Sequence, residues 1–397
     1  MKTILTINAG SSSLKFQLFS DDTVLAKGMI GNIGLYSSYF KMNSEKGTAK
    51  GHCPIPDHSC AIEKMLNLLT NNEYGMLSSL AAIDAVGHRV LHGGSKFAES
   101  VIINDEVIAA IEENIPLGPL HNPANLMGIK ACREVMPDTP MVAVFDTAFH
   151  QTMPPRAYMY GLPYEIYEKH HVRRYGFHGT SHRYVSQRSE MLGFSLVGSR
   201  MIVAHLGNGS SLSAIADGKC VDTTMGLTPL EGLLMGTRSG SLDPSVIPFL
   251  CDKLELSVKE VEELLNKKSG LLGIAGTPDM AEVNRLADEE HDEKAILARD
   301  MLVYQIAKYI GAFAVAMGGL DTLVFTGGIG ENSAVIRQLV TDQLSLFGVH
   351  LDREKNASIL PGSGYEGLIS TPESNVRVCI IPTNEELMIA RDTASLL

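Results

Sequence analysis

The chain has 397 residues, more than one hydrophobic core ordinarily supports, so two domains are expected. Hydrophobic residues make up 45% and charged residues 20%, which is typical of a folded globular protein and excludes a disordered one. The net charge of −12 disfavours nucleic-acid binding, because nucleic acids need a basic surface. Any anionic ligand must therefore be held by a local cluster of cations.

The six cysteines show no Cys-x-x-Cys spacing, which argues against a zinc site or a disulfide framework and fits a reducing cytoplasm. A strand pattern follows directly on Met1-Lys2-Thr3, unlike a signal peptide. No apolar run reaches the roughly 18–20 residues needed to cross a bilayer. We therefore expect a cytoplasmic protein with neither a membrane nor a nucleic-acid partner.

Strand and helix patterns alternate along the chain. The first half predicts strands at 2–7, 14–19, 24–30 and 141–145, helices at 105–115 and 122–135, and an irregular insertion over 31–80 with one helix near 60–70. The second half predicts strands at 201–206, 211–216, 321–326 and 376–381, and helices at 257–267, 295–318, 333–346 and 384–395. Strands mixed with long helices in both halves predict an α/β protein of two related domains, with a boundary near 150.

The opening segment Ile4–Phe16 has a near copy at Ile202–Ser213. Each reads as an apolar strand, a turn of Asn, Gly and consecutive Ser, and a second strand that alternates apolar and polar residues. A hairpin tip of this composition can be a plain turn, but it also offers N–H and hydroxyl donors to a phosphate. Lys15 lies just beyond the first tip, and two such tips predict two similar domains that serve one nucleotide. Neither tip is a Walker A loop.

Two arginines lie next to glycines in loop-like segments. Arg89 lies in Gly87–Gly94 and Arg238 in Met235–Gly240. Arginine suits bidentate contact with a carboxylate or phosphate, although an arginine like Arg89, taken alone, is more often a surface ion-pair residue.

Asp146 follows an apolar strand, at the position where open α/β sheets bind ligands, although it could equally cap the following turn. His178 lies between Phe177 and Gly179 in a segment rich in cations. It is preferred to Ser181 and His182, because those two can simply open the next helix. A zinc pair of His178 and His182 is rejected, since no carboxylate ligand follows them.

Two segments near the C-terminus complete the set of motifs. Val324–Asn332 reads as a buried strand that leads into a Gly-rich turn and a helix, an arrangement that favours a nucleotide. Thr383 and Glu386 have the spacing of a capping box, which leaves Glu385 available to Mg²⁺.

Together these motifs resemble the acetokinase (acetate kinase) family from residue 2 to about residue 395. The segments that carry the resemblance are Asn8–Lys15, Phe145–His150, Arg174–His182, His205–Gly209, Met235–Gly240 and Pro382–Glu386. It implies two duplicated actin-like (ribonuclease H-like) ATPase domains with an interdomain cleft. Residues 1–150, joined by the C-terminal helix at about 383–397, form the first domain, and residues 151–382 form the nucleotide-binding domain.

The implied reaction is reversible phosphoryl transfer between ATP and acetate, giving ADP and acetyl phosphate, with Mg²⁺ (or Mn²⁺) and a homodimeric enzyme. The resemblance assigns Arg89 and Arg238 to the acetate carboxylate and the phosphoryl group. His178, with His121 nearby, hydrogen-bonds the phosphoryl group, so that His178 and Arg238 stabilise the transition state. Asp146 is the remaining catalytic residue implied.

The other implied residues bind metal, acetate or nucleotide. Asn8 and Glu385 are the metal residues, and Glu385 organises Mg²⁺ together with Asp146. The apolar acetate pocket is Leu91, Leu120, Phe177 and Pro229. The ATP residues are Lys15, His205, Leu206, Gly207, Asn208, Gly209, Asp279, Met280, Ala281, Gly327, Gly328, Ile329, Gly330 and Asn332. Because acetate is already a nucleophilic anion, we expect direct in-line transfer with no phosphoenzyme.

The chain departs from the family pattern at three places. Pro278-Asp279-Met280-Ala281 replaces Ser-Asp-x-Arg, which suggests a loose nucleotide preference. Ser241 replaces an Asp near Arg238, and Leu91 is larger than the usual residue, which favours acetate over propionate. A propionate or other short-chain acid kinase remains the alternative, and a non-kinase nucleotide switch on the actin fold is a more distant one.

Overall fold

The computed structural model describes residues 1–119 and 121–397. They form two compact units: unit 1 comprises Met1–Phe149 and Asn384–Leu397, and unit 2 comprises His150–Thr383. Leu120, which the resemblance assigns to the acetate pocket, lies outside the described residues.

The described part of unit 1 forms an eight-stranded sheet with the order β5-β4-β3-β2-β1-β6-β8-β7. Its strands are β1 (Thr3–Ala9), β2 (Ser13–Ser20), β3 (Thr23–Gly31), β4 (Tyr39–Ser44), β5 (Gly47–His52), β6 (Ala85–Val90), β7 (Val101–Ile102) and β8 (Met141–Phe145). Strands β1 to β5 form an antiparallel run, whereas β1, β6 and β8 run parallel. The carboxyl ends of β1, β6 and β8 therefore meet at one edge of the sheet.

The prediction of an irregular segment over 31–80 is wrong where β4 and β5 extend the sheet as a hairpin. Each of these strands buries a single residue, Met42 in β4 and Ala49 in β5. Strands with so few buried residues carry too little apolar alternation to be predicted from sequence. The helix predicted near 60–70 is present.

Helices cover both faces of this sheet. They are α1 (His58–Leu69), α2 (Asp105–Glu113), α3 (Asn122–Val135) and a C-terminal helix (Glu385–Ser395). The C-terminal helix packs Ile389 against Val142 and Val144 of β8. It also crosses β6 at Gly87, where a Cβ atom would collide with Thr393.

Unit 2 repeats the central arrangement with the strand order β11-β10-β9-β12-β14-β13 over its described residues. The strands are β9 (Arg200–Leu206), β10 (Ser210–Ala216), β11 (Lys219–Thr223), β12 (Thr322–Thr326), β13 (Gly367–Leu368) and β14 (Arg377–Ile380). β9 pairs antiparallel with β10 and parallel with β12, as β1 pairs with β2 and β6. The two hairpins predicted as a repeat therefore occupy equivalent places in the two sheets.

Unit 2 has a separate hydrophobic core, formed by its sheet and several of its helices. The helices are α4 (Pro155–Tyr158), α5 (Tyr164–His170), α6 (Gly179–Met191), α7 (Val246–Leu254), α8 (Val258–Lys267), α9 (Gly270–Ala275), α10 (Met280–Asp288), α11 (Glu293–Met317), α12 (Gly327–Asn332), α13 (Ala334–Asp342) and α14 (Arg353–Ser358). The segment predicted as a Gly-rich turn is thus itself the short helix α12. Within the described residues, we find no helix with the length and apolarity that a membrane crossing requires.

Candidate functional site

Unit 1 has a small cavity of about 200 Å³ at the carboxyl edge of its parallel strands. Five of the residues predicted from sequence line it: Asn8, Lys15, Arg89, Leu91 and His121. They come from the first hairpin, where Asn8 pairs with Lys15, from the end of β6, and from the start of α3. The cavity combines cationic and amide groups with the apolar wall of Leu91.

Asn125 is a lining residue that the sequence analysis missed. Its Oδ1 accepts the Leu91 N–H at 3.0 Å, and its Nδ2 donates to the Ala9 carbonyl at 2.8 Å. The buried Asn125 side chain therefore fixes the first hairpin tip to the end of β6. Its position within the first turn of a predicted helix gave no signal for this role.

Arg89 is the centre of a charged cluster beside this cavity. Its Nη2 donates to Asp146 Oδ2 at 2.5 Å, and its Nε lies 3.1 Å from Asp146 Oδ1. Its Nη1 donates to Asn8 Oδ1 at 3.4 Å, and its Nε lies 3.8 Å from Glu385 Oε2. Asp146 is fully buried, whereas the Arg89 side chain keeps 23% of its surface exposed. One arginine thus contacts two carboxylates and an amide.

The cluster holds more negative than positive charge. Burial raises the pKa of Glu385 to about 7; the carboxylates of Asp146 and Glu386 add to this shift, and the cations of Arg89 and Lys15 oppose it. Burial alone would lower the pKa of the Arg89 guanidinium, but Asp146 and Glu385 more than offset it and raise the pKa above the ordinary value.

The residues present fit Mg²⁺. Two carboxylates and the Asn8 amide oxygen supply the hard oxygen ligands that Mg²⁺ prefers, and a cation would compensate their excess charge. No group of three or more His, Cys, Asp or Glu side chains suited to a metal occurs among residues 1–119 and 121–397. A site with few protein ligands is usual for Mg²⁺, which keeps several waters and substrate phosphates.

The predicted capping box of Thr383 and Glu386 is wrong. The C-terminal helix is capped by Asn384, whose Oδ1 accepts the Leu387 N–H at 3.0 Å. Thr383 instead places its hydroxyl 2.7 Å from that of Ser181. Asparagine is at least as good an N-cap as threonine, so the helix starts one residue later than the spacing suggested. Glu385 becomes the first helical residue.

In unit 2, His178 precedes α6 with a left-handed backbone (φ 58°), which is uncommon for a residue other than glycine. Its Nδ1 lies 3.0 Å from the Ser211 hydroxyl, and its ring contacts that of His205 with centroids 4.4 Å apart and planes tilted by 30°. A Cβ atom on Gly209 would lie 3.4 Å from His178 Nε2 and 3.5 Å from Arg238 Nη1. His178 and Arg238 therefore meet at the tip of the second hairpin.

Arg238 lies in a loop tied to that same hairpin. Gly236 N–H donates to the Asn208 carbonyl at 3.0 Å, and Arg238 Nη1 donates to the Pro229 carbonyl at 3.4 Å. Burial lowers the pKa of Arg238, and no acidic side chain in the described part of unit 2 forms an ion pair with it. A half-buried cation without a carboxylate partner is suited to binding an anionic ligand.

Ser241, one of the departures from the family pattern, closes this loop. Its hydroxyl accepts the Gly232 N–H at 3.0 Å, and its own N–H donates to the Gly232 carbonyl at 3.0 Å. Phe177, predicted for the acetate pocket, also lies in unit 2, where its side chain is buried and its carbonyl contacts His150 Nε2 at 2.9 Å.

A larger cavity of about 720 Å³ lies between the second hairpin, the start of α10 and α12. The predicted ATP residues that line it are Gly207, Asn208, Asp279, Met280, Ala281, Gly328, Ile329 and Asn332. Gly327, Gly330, His205 and Leu206 lie beside it in α12 and β9 without lining it. Asp279 caps α10, its Oδ1 accepting the Ala281 N–H at 2.9 Å. Asn284 also lines the cavity, and the sequence analysis missed it.

Comparison with known proteins identifies the family. The family model described as "Acetokinase family" matches residues 3–391. The acetate kinase of Helicobacter hepaticus is 54% identical over 99% of this chain and 98% of its own length. That of Carboxydothermus hydrogenoformans is 52% identical over 99% of both.

Solved structures agree. The crystal structure of Porphyromonas gingivalis acetate kinase covers 100% of both chains with a TM-score of 0.94 and 48% identity. A propionate kinase from Francisella tularensis does so with a TM-score of 0.92 and 43% identity. The predicted fold class, an α/β protein with a duplicated sheet arrangement, is confirmed. The chain therefore belongs to the acetokinase family and is a kinase whose phosphoryl acceptor is a carboxylate.

Proposed function

We propose that this kinase catalyses the Mg²⁺-dependent, reversible transfer of the γ-phosphoryl group of ATP to acetate, giving ADP and acetyl phosphate. The observation that carries the proposal is the cavity of unit 1. It is small, at about 200 Å³, and Arg89, Lys15 and Asn8 line it together with the apolar Leu91. A short acid with one carboxylate and one methyl group matches that pairing of charge and apolar wall.

The residues of each unit support distinct roles. In unit 1, Arg89 binds the acetate carboxylate, with Leu91 against its methyl group. Asn8, Asp146 and Glu385 would hold Mg²⁺, which supplies charge neutralisation for the phosphates. Lys15 and His121 add donors beside Arg89.

In unit 2, the larger cavity takes the nucleotide, and the hairpin tip at Asn208 and Gly209 donates to its phosphates. His178 and Arg238 bind the phosphoryl group in transfer, supported by their shared position at Gly209. Acetate needs no general base, so that catalysis consists of positioning two anions and neutralising their charge.

The test is acyl phosphate formation, trapped with hydroxylamine, with MgATP and acetate, propionate or butyrate in parallel. Strong turnover with acetate that falls with chain length is expected, and chelation of the metal should abolish it. A preference for propionate would instead assign propionate kinase activity. This is the second candidate because the propionate kinase of F. tularensis is 43% identical. ATP binding without acyl phosphate from any acid would point to a nucleotide switch instead.

Direct in-line transfer has its own test. A phosphoenzyme would exchange label between ADP and ATP when acetate is absent, whereas direct transfer requires the acceptor. We expect no such exchange in carefully acetate-free protein. Exchange at a rate near that of turnover would contradict direct transfer.

We also propose a homodimer in the cytoplasm. The location is supported by the free thiols of Cys53, Cys60, Cys132, Cys220, Cys251 and Cys379. Light scattering coupled to size exclusion tests the dimer, and cell fractionation tests the location.

A further inference from the structure

The Ser211 hydroxyl lies between two histidine rings in unit 2. Its Oγ is 2.7 Å from His182 Nε2 and 3.0 Å from His178 Nδ1. Ser211 is on β10, His182 is in the first turn of α6, and both are fully buried. We call this series of contacts, His182–Ser211–His178, the histidine relay.

The far nitrogen of His182 decides how hydrogens are arranged along the relay. His182 Nδ1 is buried and has no hydrogen-bond partner among residues 1–119 and 121–397. Burial, together with His150 and His205, lowers the pKa of His182 well below its ordinary value, so the ring is neutral with one N–H and one bare nitrogen. A buried N–H without an acceptor is rarer in proteins than an unsatisfied acceptor. The hydrogen of His182 therefore belongs on Nε2, which can donate to Ser211.

The positions of the other hydrogens in the relay follow from the fact that a hydroxyl group has a single hydrogen. Once Ser211 Oγ accepts from His182, its own O–H is available to donate to His178 Nδ1. A neutral His178 whose Nδ1 accepts a hydrogen bond must carry its hydrogen on Nε2. Nε2 is the nitrogen that faces Gly209 at the tip of the second hairpin.

We propose that His182 and Ser211 are positioning residues that hold His178 as its Nε2–H tautomer, ready to donate to a phosphoryl oxygen. The inference rests on the proposed function in one respect, the contact of His178 with that oxygen. The opposite arrangement would aim a bare nitrogen lone pair at the phosphoryl oxygens. The relay thus makes a neutral imidazole into a donor of fixed direction.

The direct test is long-range ¹H–¹⁵N NMR of the full-length protein with ¹⁵N-labelled histidine rings, recorded at about pH 8, where unperturbed imidazoles are neutral. The His178 signals are assigned by their loss in His178→Asn. We expect a protonated Nε2 and a bare Nδ1 in the wild type. Ser211→Ala should convert His178 to a mixture of tautomers.

Ser213→Ala is the matched control. Ser213 is a second fully buried serine on β10, two residues further along, and its hydroxyl contacts Thr223 at 3.2 Å. It should leave the His178 tautomer unchanged. His182→Gln, which keeps a nitrogen donor near the position of Nε2, should retain the tautomer better than His182→Leu.

Kinetics give a second readout. Ser211→Ala should lower kcat about 10-fold or more, as expected when one oriented donor is weakened, with KM for ATP and acetate changed less than about twofold. His178 with Nδ1–H in the wild type, or an unchanged tautomer in Ser211→Ala, would overturn the inference. The wild-type spectrum decides even if a variant fails to fold. If instead His178→Asn retains full activity, the catalytic role of His178 fails while the tautomer assignment stands.

Discussion

Replacing Arg89 by alanine has two separable consequences in this structure. The side chain contributes one oriented cation to the cavity of unit 1, and loss of such a donor should lower kcat about 10²–10³-fold, or roughly 3–4 kcal/mol. The same change removes the hydrogen bonds at 2.5 and 3.1 Å to the buried Asp146. Loss of a partner from a buried ion pair costs about 3–5 kcal/mol, and the 23% exposure of Arg89 favours the lower end.

A second substitution separates the two effects. In Arg89→Ala/Asp146→Asn the remaining side chain is neutral, so much of the free energy of unfolding should return while kcat stays low. Arg133→Ala is the control within the same unit, because Arg133 also pairs with an aspartate, Asp105, at 2.9 Å. That pair is exposed, so its loss should change stability by less than about 1 kcal/mol and leave kcat unchanged.

The assay is hydroxylamine-trapped acyl phosphate at saturating MgATP and acetate, with urea denaturation measured on the same preparations. A folded Arg89→Ala protein that loses less than about tenfold in kcat would refute the assignment of Arg89 to the reacting groups. An unchanged free energy of unfolding would refute the importance of its pairing with Asp146.

Three further predictions follow from other side chains. Leu91→Ala should raise the kcat/KM of propionate relative to acetate about 4-fold to 100-fold, the worth of one methylene in a pocket, and an unchanged ratio would remove Leu91 from the pocket wall. His88 is buried, and burial lowers its pKa to about 3, so the unfolded state binds more protons below pH 6.5. The free energy of unfolding should therefore fall by roughly 1.4 kcal/mol per pH unit as pH falls from about 6.5 towards 3. Urea denaturation of His88→Leu at several pH values should show a dependence of that free energy on pH that is weaker by this amount, because one proton fewer is taken up on unfolding. Arg337 is fully buried and donates to the Gly330 and Glu331 carbonyls of α12 at 2.9 Å. Arg337→Ala should therefore lower the free energy of unfolding by about 3 kcal/mol and raise KM for ATP. Arg285→Ala, at an exposed position, should do neither.

Elements with strong local signals could be predicted from the sequence. The strand at 141–145 and the helix at 122–135 have the predicted bounds, because one is a continuous apolar run and the other has a clear helical period. The repeat of the Asn-Gly-Ser hairpin indicated the duplicated architecture for a similar reason. Both hairpin tips have the same unusual composition of Asn, Gly and Ser, which can be recognised locally.

Features that depend on distant partners could not be predicted. Asn125, Ser211 and His182 are ordinary residues in regular elements, and their importance comes from contacts with groups 29 to 116 residues away. The Asn384 cap was missed because two adjacent residues, Thr383 and Asn384, can each cap a helix, and a contact with Ser181 decides between them. That contact joins residues far apart in the sequence, so it cannot be predicted from the local sequence.

The C-terminal helix gives unit 1 a dependence on the order of synthesis. The ribosome makes β6, β8 and Arg89 early, but Glu385 and Ile389 emerge only after all of unit 2. Until then, Val142 and Val144 lack their apolar cover, and Gly87 faces no helix. A nascent chain stalled before residue 384 would therefore expose an apolar surface on the N-terminal sheet. It would also lack one carboxylate of the charged cluster.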